Sequence, residues 1–472
     1  MTRQPMPDIV VLLPGITGSV LAREGQVVWG FSGRLIAEVL FTRGRRLRET
    51  LMLDESSGDD DLGDGIVAES LVPDLHLLPG LWKIDGYSKV ADAILSRFDV
   101  TEGENFFRFP YDWRRDNRVA ARRLARESHD WLKRWRGRKN PDAKLILVAH
   151  SMGGLVARHF LEVLEGWRDA RALVTFGTPY RGALNALDML ANGMKQGPFG
   201  FLDLSELGRS FTSVYQLLPI YPSCDVGGGR LVRVAETDAI PHVDPARASA
   251  ALTFHREIEE AVETNRQHDD YVRAGYRIYP IVGIAQDTNQ SGRLAGDGVE
   301  LLKTYEGNDF KGDGTVPRVS ATPLEYSDEG REMFAATQHA SLQNADAVLT
   351  HLDGLINSLY FDLGGFRKPS LSPVKVSIDV DDLYWRDEPI TVRARPERED
   401  VRLVATLMRT DSDEAVGTLP LGDDADGWKL AEFAPPPAGA YRIEVRGGPD
   451  VEPAADALAV AGVGQDEATD DG

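Results

Sequence analysis

At 472 residues the chain exceeds one domain of ordinary size, and with 42% apolar and 27% charged residues it is neither fibrous nor mostly disordered. Its 53 Lys and Arg against 74 Asp and Glu leave a formal charge of −21, which repels phosphates and excludes nucleic acid as a partner; any bilayer contact has to come from a local apolar or basic patch. The single cysteine, Cys224, rules out an intrachain disulfide, no apolar run reaches the roughly 18 to 20 residues of a spanning helix, and Met1–Asp8 lacks a leader pattern, so the expectation is a soluble cytoplasmic protein.

The first element is Ile9–Leu13, a short apolar run of the kind that is buried on both faces of a parallel sheet. A glycine-bearing loop follows it, Pro14-Gly15-Ile16-Thr17-Gly18-Ser19. Asp59-Asp60-Asp61, within Glu55–Gly65, is most simply a solvated loop. A helical pattern over Val119–Trp135 leads to the strand Leu145–Val148, and further apolar runs come at Ala172–Phe176 and Ile278–Ile284, an alternation that predicts an α/β fold. About a hundred residues separate the last two runs, far more than the usual loop of 2 to 6 residues, so an inserted subdomain is expected over 185–275. Its piece Asn185–Tyr221, with Gly197-Pro198-Phe199-Gly200-Phe201-Leu202, is either a lid over a greasy pocket or ordinary packing of the insertion.

A helix is predicted from Asn344 to Tyr360, which closes a first domain of residues 1–365. Beyond it the character changes to short alternating segments, Val374–Val380, Ile390–Ala394, Val401–Met408 and Ala440–Val445, separated by Asp, Pro and Gly clusters. Residues 371–461 therefore read as a small immunoglobulin-like β-sandwich, and the acidic end, 462–472, as a disordered tail.

The strongest chemical signal is Leu145-Ile146-Leu147-Val148-Ala149-His150-Ser151-Met152-Gly153-Gly154 ahead of a helical pattern. Strand, sharp turn with Ser at its apex and helix make the nucleophile elbow of an α/β-hydrolase. Ala149 stands where the strict G-x-S-x-G pattern has Gly, and is small enough to keep the turn; a serine that only caps the helix is the plainer alternative. A serine needs a base and an orienting carboxylate, which in this fold follow it in the order Asp, His. Gly312-Asp313-Gly314-Thr315-Val316 offers Asp313, with Asp287 and Asp297 as competitors. His339, in a polar loop, is a better base than His351, which falls inside a helix, whereas His150 is expected to point away into the sheet. The oxyanion donors expected are the backbone N–H groups of Met152 and Ile16. Neither a cofactor nor a metal is needed, and no Cys/His cluster suggests one.

Together these motifs resemble the lecithin:cholesterol acyltransferase family, which includes the lysosomal phospholipase A2-like enzymes. Phe109-Pro110-Tyr111-Asp112-Trp113-Arg114-Arg115 is similar to a Pro-Tyr-Asp-Trp-Arg element of that family, and Thr175-Phe176-Gly177-Thr178-Pro179-Tyr180-Arg181-Gly182 to its post-strand loop. The resemblance covers about residues 8–355. It implies acyl transfer from a lipid ester through Ser151, with His339 as base and then acid and Asp313 as its orienter, to water or to an alcohol. It also implies a lid over the site, through which transient contact with a membrane surface is expected. Position 16 departs from the acidic residue of some relatives, which a backbone donor tolerates. Two other readings stand beside it: a hydrolase of non-lipid esters, and a docking protein whose sandwich binds a protein partner that releases an inactive hydrolase domain.

Overall fold

The computed structural model describes residues 3–30, 39, 41–53, 60–73, 76–77, 83–138, 140–196, 202–326, 332–360, 374–398, 400–412, 414–448 and 451–461. Six strands, β1 (Ile9–Leu13), β2 (Phe106–Arg108), β3 (Leu145–His150), β4 (Ala170–Phe176), β5 (Arg277–Gly283) and β6 (Met333–Ala335), form one sheet in the order β2-β1-β3-β4-β5-β6. Every pairing in it is parallel, with Leu12 opposite Val148 and His150 opposite Phe176. β1 and β3 are buried at every residue, which is why they read as continuous apolar runs instead of alternating ones. The edge strands β2 and β6 are three residues long and only partly buried, and carry no such signature.

Helices cover both faces. Ile9, Val11, Leu13, Leu145 and Leu147 pack on α2 (Asn117–Arg138), α3 (Gly153–Glu162) and α7 (Pro245–Asn265), whereas Val10, Leu12, Ile146 and Val148 pack on α1 (Ser88–Arg97) and α8 (Asp346–Ser358). The fold is thus the α/β-hydrolase arrangement expected from the sequence. Between β4 and β5 lie the short helices α4 (Leu184–Ala191), α5 (Ser205–Ser210) and α6 (Thr212–Tyr215) and then α7, whose start is fixed by Asp244 accepting from the N–H groups of Ala246 and Arg247 and by Pro245 in the first turn. Gly197–Phe201 of the expected lid lies outside the described residues. No described helix is long and apolar enough to cross a membrane. Asp60 is tied down instead of freely solvated: its carboxylate accepts from Arg122 and Arg126 of α2.

The chain divides into two units, residues 1–360 and 361–472. In the second, β7 (Val376–Asp379), β8 (Leu383–Trp385), β9 (Ile390–Pro396), β10 (Val404–Arg409), β11 (Ala415–Pro420), β12 (Gly422–Asp423), β13 (Lys429–Phe433), β14 (Gly439–Arg446) and β15 (Ala454–Ala461) form two sheets, β7-β9-β13-β12 and β8-β15-β14-β10-β11. Ile390, Val392, Leu407, Phe433, Ile443 and Val445 close a core of their own between them, so this unit is a β-sandwich. The expected acidic tail, 462–472, lies outside the described residues.

Candidate active site

The loop from β3 into α3 carries Ser151 at φ +52, a left-handed conformation that a side-chain-bearing residue adopts only under constraint. The constraint is visible: Ser151 N–H donates to the Phe176 carbonyl (2.8 Å), and its own carbonyl accepts from Gly154 N–H (3.0 Å) and Thr178 Oγ1 (2.9 Å). The turn also demands close approach. A Cβ at Gly153 would sit 2.4 Å from the Pro14 carbonyl oxygen, and one at Gly154 would sit 2.0 Å from Thr178 Oγ1, whereas Ala149 packs its methyl into the core without conflict.

His339 opens the turn before α8 and places Nε2 2.9 Å from Ser151 Oγ. Its Nδ1 lies 2.7 Å from Asp313 Oδ2. A carboxylate only accepts, so the proton of the neutral ring sits on Nδ1 and the Nε2 lone pair faces the serine hydroxyl. Asp313 is buried, and its Oδ1 is occupied by the N–H groups of Thr315 (2.9 Å) and Val316 (2.7 Å), leaving Oδ2 for the histidine. The backbone adds one more tie, from His339 N–H to the Asp313 carbonyl (2.8 Å). Of the competing carboxylates, Asp287 is paired with Lys311 at 2.8 Å and Asp297 is exposed at the tip of the hairpin Ser291–Leu302, so neither meets the histidine. His351 is exposed on α8.

Among the described residues, neither Ile16 N–H nor Met152 N–H is engaged within the protein, so both donors are open. The Ile16 loop is held by the Phe109–Arg115 segment: Tyr111 Oη donates to the Pro14 carbonyl (2.8 Å), Trp113 Nε1 to the Ser19 carbonyl (3.2 Å), and Tyr111 N–H to Ser19 Oγ (3.0 Å). Beneath them the buried Arg114 grips Asp112 through two bonds (2.9 and 2.6 Å) and reaches Asp64 (2.9 Å). This motif is a buttress for the glycine loop, which its sequence alone did not reveal.

Ser151 and His339 open into a cavity of about 480 Å³. Its apolar lining, Ala183, Ala186, Met189, Val214 and Leu217, comes from α4, α6 and their flanks, and its polar lining, Gln286, Asp287, Thr315 and Gln338, from the loops after β5 and β6. His150 differs from the sequence expectation. Its ring stays beside the site, 5.0 Å from that of His339, with Nδ1 at 2.9 Å from Tyr87 Oη and Nε2 at 3.1 Å from the His339 carbonyl. Burial, reinforced by the neighbouring His339, pushes its pKa down to about 3, so it is neutral. Alternation along β3 explains the placement, since it sends His150 to the face of Ile146 and Val148, where α1 and α8 pack. No group of three or more described His, Cys, Asp or Glu residues could hold a metal.

Residues 81–306 match the family model of lecithin:cholesterol acyltransferase, a span that includes Pro110–Arg114 and Ser151 and ends before Asp313 and His339. The lysosomal phospholipase A and acyltransferase of Homo sapiens is 36% identical over 152 residues, which is 30% of this chain and 35% of that protein. The Rattus norvegicus protein of the same name is 32% identical over 149 residues, again 30% of this chain and 35% of that protein. The chain thus spans about a third of the length of these curated relatives. Among solved structures, the mature form of a Bacillus licheniformis lipase is similar at 13% identity and a TM-score of 0.36, over 75% of this chain and 95% of that one. Over residues 81–306 the hydrolase unit is thus similar to the lecithin:cholesterol acyltransferase family.

Proposed function

We propose that the chain is a serine-dependent lipid ester hydrolase, a phospholipase A that also transfers acyl groups to alcohols. The observation that carries this reading is the chain of contacts Ser151–His339–Asp313, at 2.9 and 2.7 Å, at the base of a cavity with one apolar and one polar source of lining. Ser151 Oγ attacks the ester carbonyl as His339 Nε2 takes its proton; the Ile16 and Met152 N–H groups receive the oxyanion; His339 then returns the proton to the leaving alcohol oxygen. In the second half His339 Nε2 takes a proton from water or an alcohol as its oxygen attacks the acyl carbonyl; the bond from that carbon to Ser151 Oγ then breaks, and His339 returns the proton to Oγ. The residues from α4 and α6 suit a fatty-acyl chain, and the polar residues a hydroxyl-bearing acceptor.

Contact with a lipid surface is part of the proposal. Phe41 is 91% exposed, and Arg43, Arg45 and Arg46 are exposed beside it, an aromatic and basic patch on an otherwise acidic chain. A protein partner on the sandwich is supported by Leu383 and Trp385, both more than half exposed on the edge strand β8. The lone, buried Cys224 supports a cytoplasmic setting.

The test is intact-mass analysis after a fluorophosphonate, on wild type and Ser151→Ala, with and without phosphatidylcholine vesicles. Labelling of wild type alone, faster with vesicles, is expected, with free fatty acid from the vesicles and an acylated product when a long-chain alcohol is added. An unlabelled wild type under both conditions would put the docking-protein reading first; labelling without lipid turnover would point to a non-lipid ester.

A further inference from the structure

We propose that Tyr87 and His150 form a positioning relay that locks the Ile16 donor loop to the catalytic histidine, so that the donor and base of the reaction move as one body. This rests on the Ser151 mechanism above but concerns residues that mechanism does not use. The proton of every link is determined by its neighbours. The His339 carbonyl only accepts, so His150 carries its proton on Nε2 and donates it there (3.1 Å). Its Nδ1 is then an acceptor, and Tyr87 Oη–H donates to it (2.9 Å). The Tyr87 oxygen in turn accepts the Gly15 N–H (2.7 Å). One unbranched chain therefore runs from the residue before Ile16, beside the nucleophile, to the backbone of His339.

Both ends are tight. A Cβ at Gly15 would lie 2.8 Å from Ser151 Cβ and 3.1 Å from His150 Nδ1, and one at Gly18 would lie 2.8 Å from Tyr87 Oη, so the loop is packed against the relay with no slack. Tyr87 is itself fixed relative to His339. Asp85 N–H donates to the Ala340 carbonyl (3.1 Å), Gln343 Nε2 to the Gly86 carbonyl (2.9 Å), and Asn344 Nδ2 to the carbonyls of Asp85 (2.9 Å) and Gly86 (3.1 Å). Tyr87 and His150 are almost wholly enclosed, and burial holds the tyrosine protonated and the histidine neutral. The chain thus keeps its direction and shuttles no proton, and a neutral His150 leaves the 5.0 Å space beside His339 free of a second positive charge when His339 becomes imidazolium. Because buried hydrogen bonds in series polarise and align one another, breaking either link frees the same loop.

The experiment measures kcat and KM on a soluble short-chain ester and the fluorophosphonate labelling rate, normalised to folded protein, for wild type, Ser151→Ala, Tyr87→Phe, His150→Leu, His150→Gln and the Tyr87→Phe/His150→Leu double variant. Expected is a fall in kcat of about 10- to 100-fold for Tyr87→Phe with KM unchanged, by the sensitivity of donor and base placement. His150→Gln, whose amide N–H still reaches toward the His339 carbonyl, retains more activity than His150→Leu. The double variant loses little beyond the worse single change, because both break one chain. Losses that multiply, or a folded Tyr87→Phe or His150→Gln with wild-type kcat beside an impaired KM or melting temperature alone, would overturn the relay. Should Tyr87→Phe not fold, the His150→Gln and His150→Leu pair decides the same question. A wild type that neither labels nor turns over would instead remove the Ser151 reading beneath it.

Discussion

Asp313 divides its two carboxylate oxygens between different tasks. Oδ1 takes two backbone N–H groups and sets the carboxylate plane, while Oδ2 holds the Nδ1 proton of His339. Asp313→Asn would keep the Oδ1 contacts and turn an NH₂ toward the histidine, which forces the proton to Nε2 and leaves Ser151 without a base. The expected outcome is a fall of about 10⁴-fold in kcat with an unchanged circular-dichroism melt; activity within tenfold of wild type would mean that another group orients His339. Ser151 and His339 were legible because they stand in local motifs whose order along the chain narrows the choices, whereas the residues alone left Asp313 beside Asp287 and Asp297 and only the family resemblance singled it out. Tyr87 was not legible, because its value lies in a contact with Gly15, 72 residues away, and nothing in its own neighbourhood marks it. His150 was legible as a residue of interest but not in its direction, which only strand alternation combined with the position of α1 and α8 supplies.

At the scale of elements, the central strands were readable because burial on both faces leaves an unbroken apolar run, and the edge strands β2 and β6 were not, because three half-buried residues carry no period. The Phe109–Arg115 segment shows how an irregular stretch can do what a strand does elsewhere. It has no regular structure, yet its Tyr and Trp side chains satisfy the Pro14 and Ser19 carbonyls, and Arg114, wholly enclosed, anchors it to Asp112 and Asp64. Arg114 is enclosed while the side chains of Asp112 and Asp64 keep 15% and 33% exposure, so removing the guanidinium leaves two carboxylates that water reaches in part. Arg114→Met is therefore expected to cost about 2–3 kcal/mol in urea unfolding, below the roughly 3–5 kcal/mol of a fully buried pair, and to slow fluorophosphonate labelling of the protein that still folds. A change below about 1 kcal/mol would show that Asp112 and Asp64 find water or another cation, and that the element does not depend on this anchor.

At the scale of the whole molecule, each unit has its own core, so residues 1–360 expressed alone are expected to fold and to label with fluorophosphonate at a rate comparable to the full chain; failure to fold would show that the sandwich completes the hydrolase core. The response to acid also belongs to this scale. His150, His159 and His255 are all enclosed, and burial pushes their pKa values down to about 3, 4 and 4. Unfolding returns each to about 6.5, so between those values the unfolded chain binds protons that the folded chain refuses. Their contribution is complete above about pH 6.5 and is lost as pH falls toward 3 to 4, at up to about 1.4 kcal/mol per pH unit for each histidine. Glu259, whose pKa burial raises with help from Glu325, acts in the opposite direction over part of this range, so the net slope falls below three protons. Carboxylates held below their ordinary value, such as Asp411 beside Arg409, begin to add their loss below about pH 5, which leaves about pH 5 to 6 as the window in which the histidines dominate. Urea unfolding across that window should show stability falling with acid by one to three protons per molecule. His255→Gln, which keeps a donor for the Gln216 carbonyl that His255 Nε2 meets at 2.8 Å, should reduce that slope by about one proton while changing stability little at pH 7.5. A profile flat from about pH 6 to 5 would mean that these histidines reach solvent before the global transition, and that the helices α3 and α7 around His159 and His255 open as a unit ahead of the sheet.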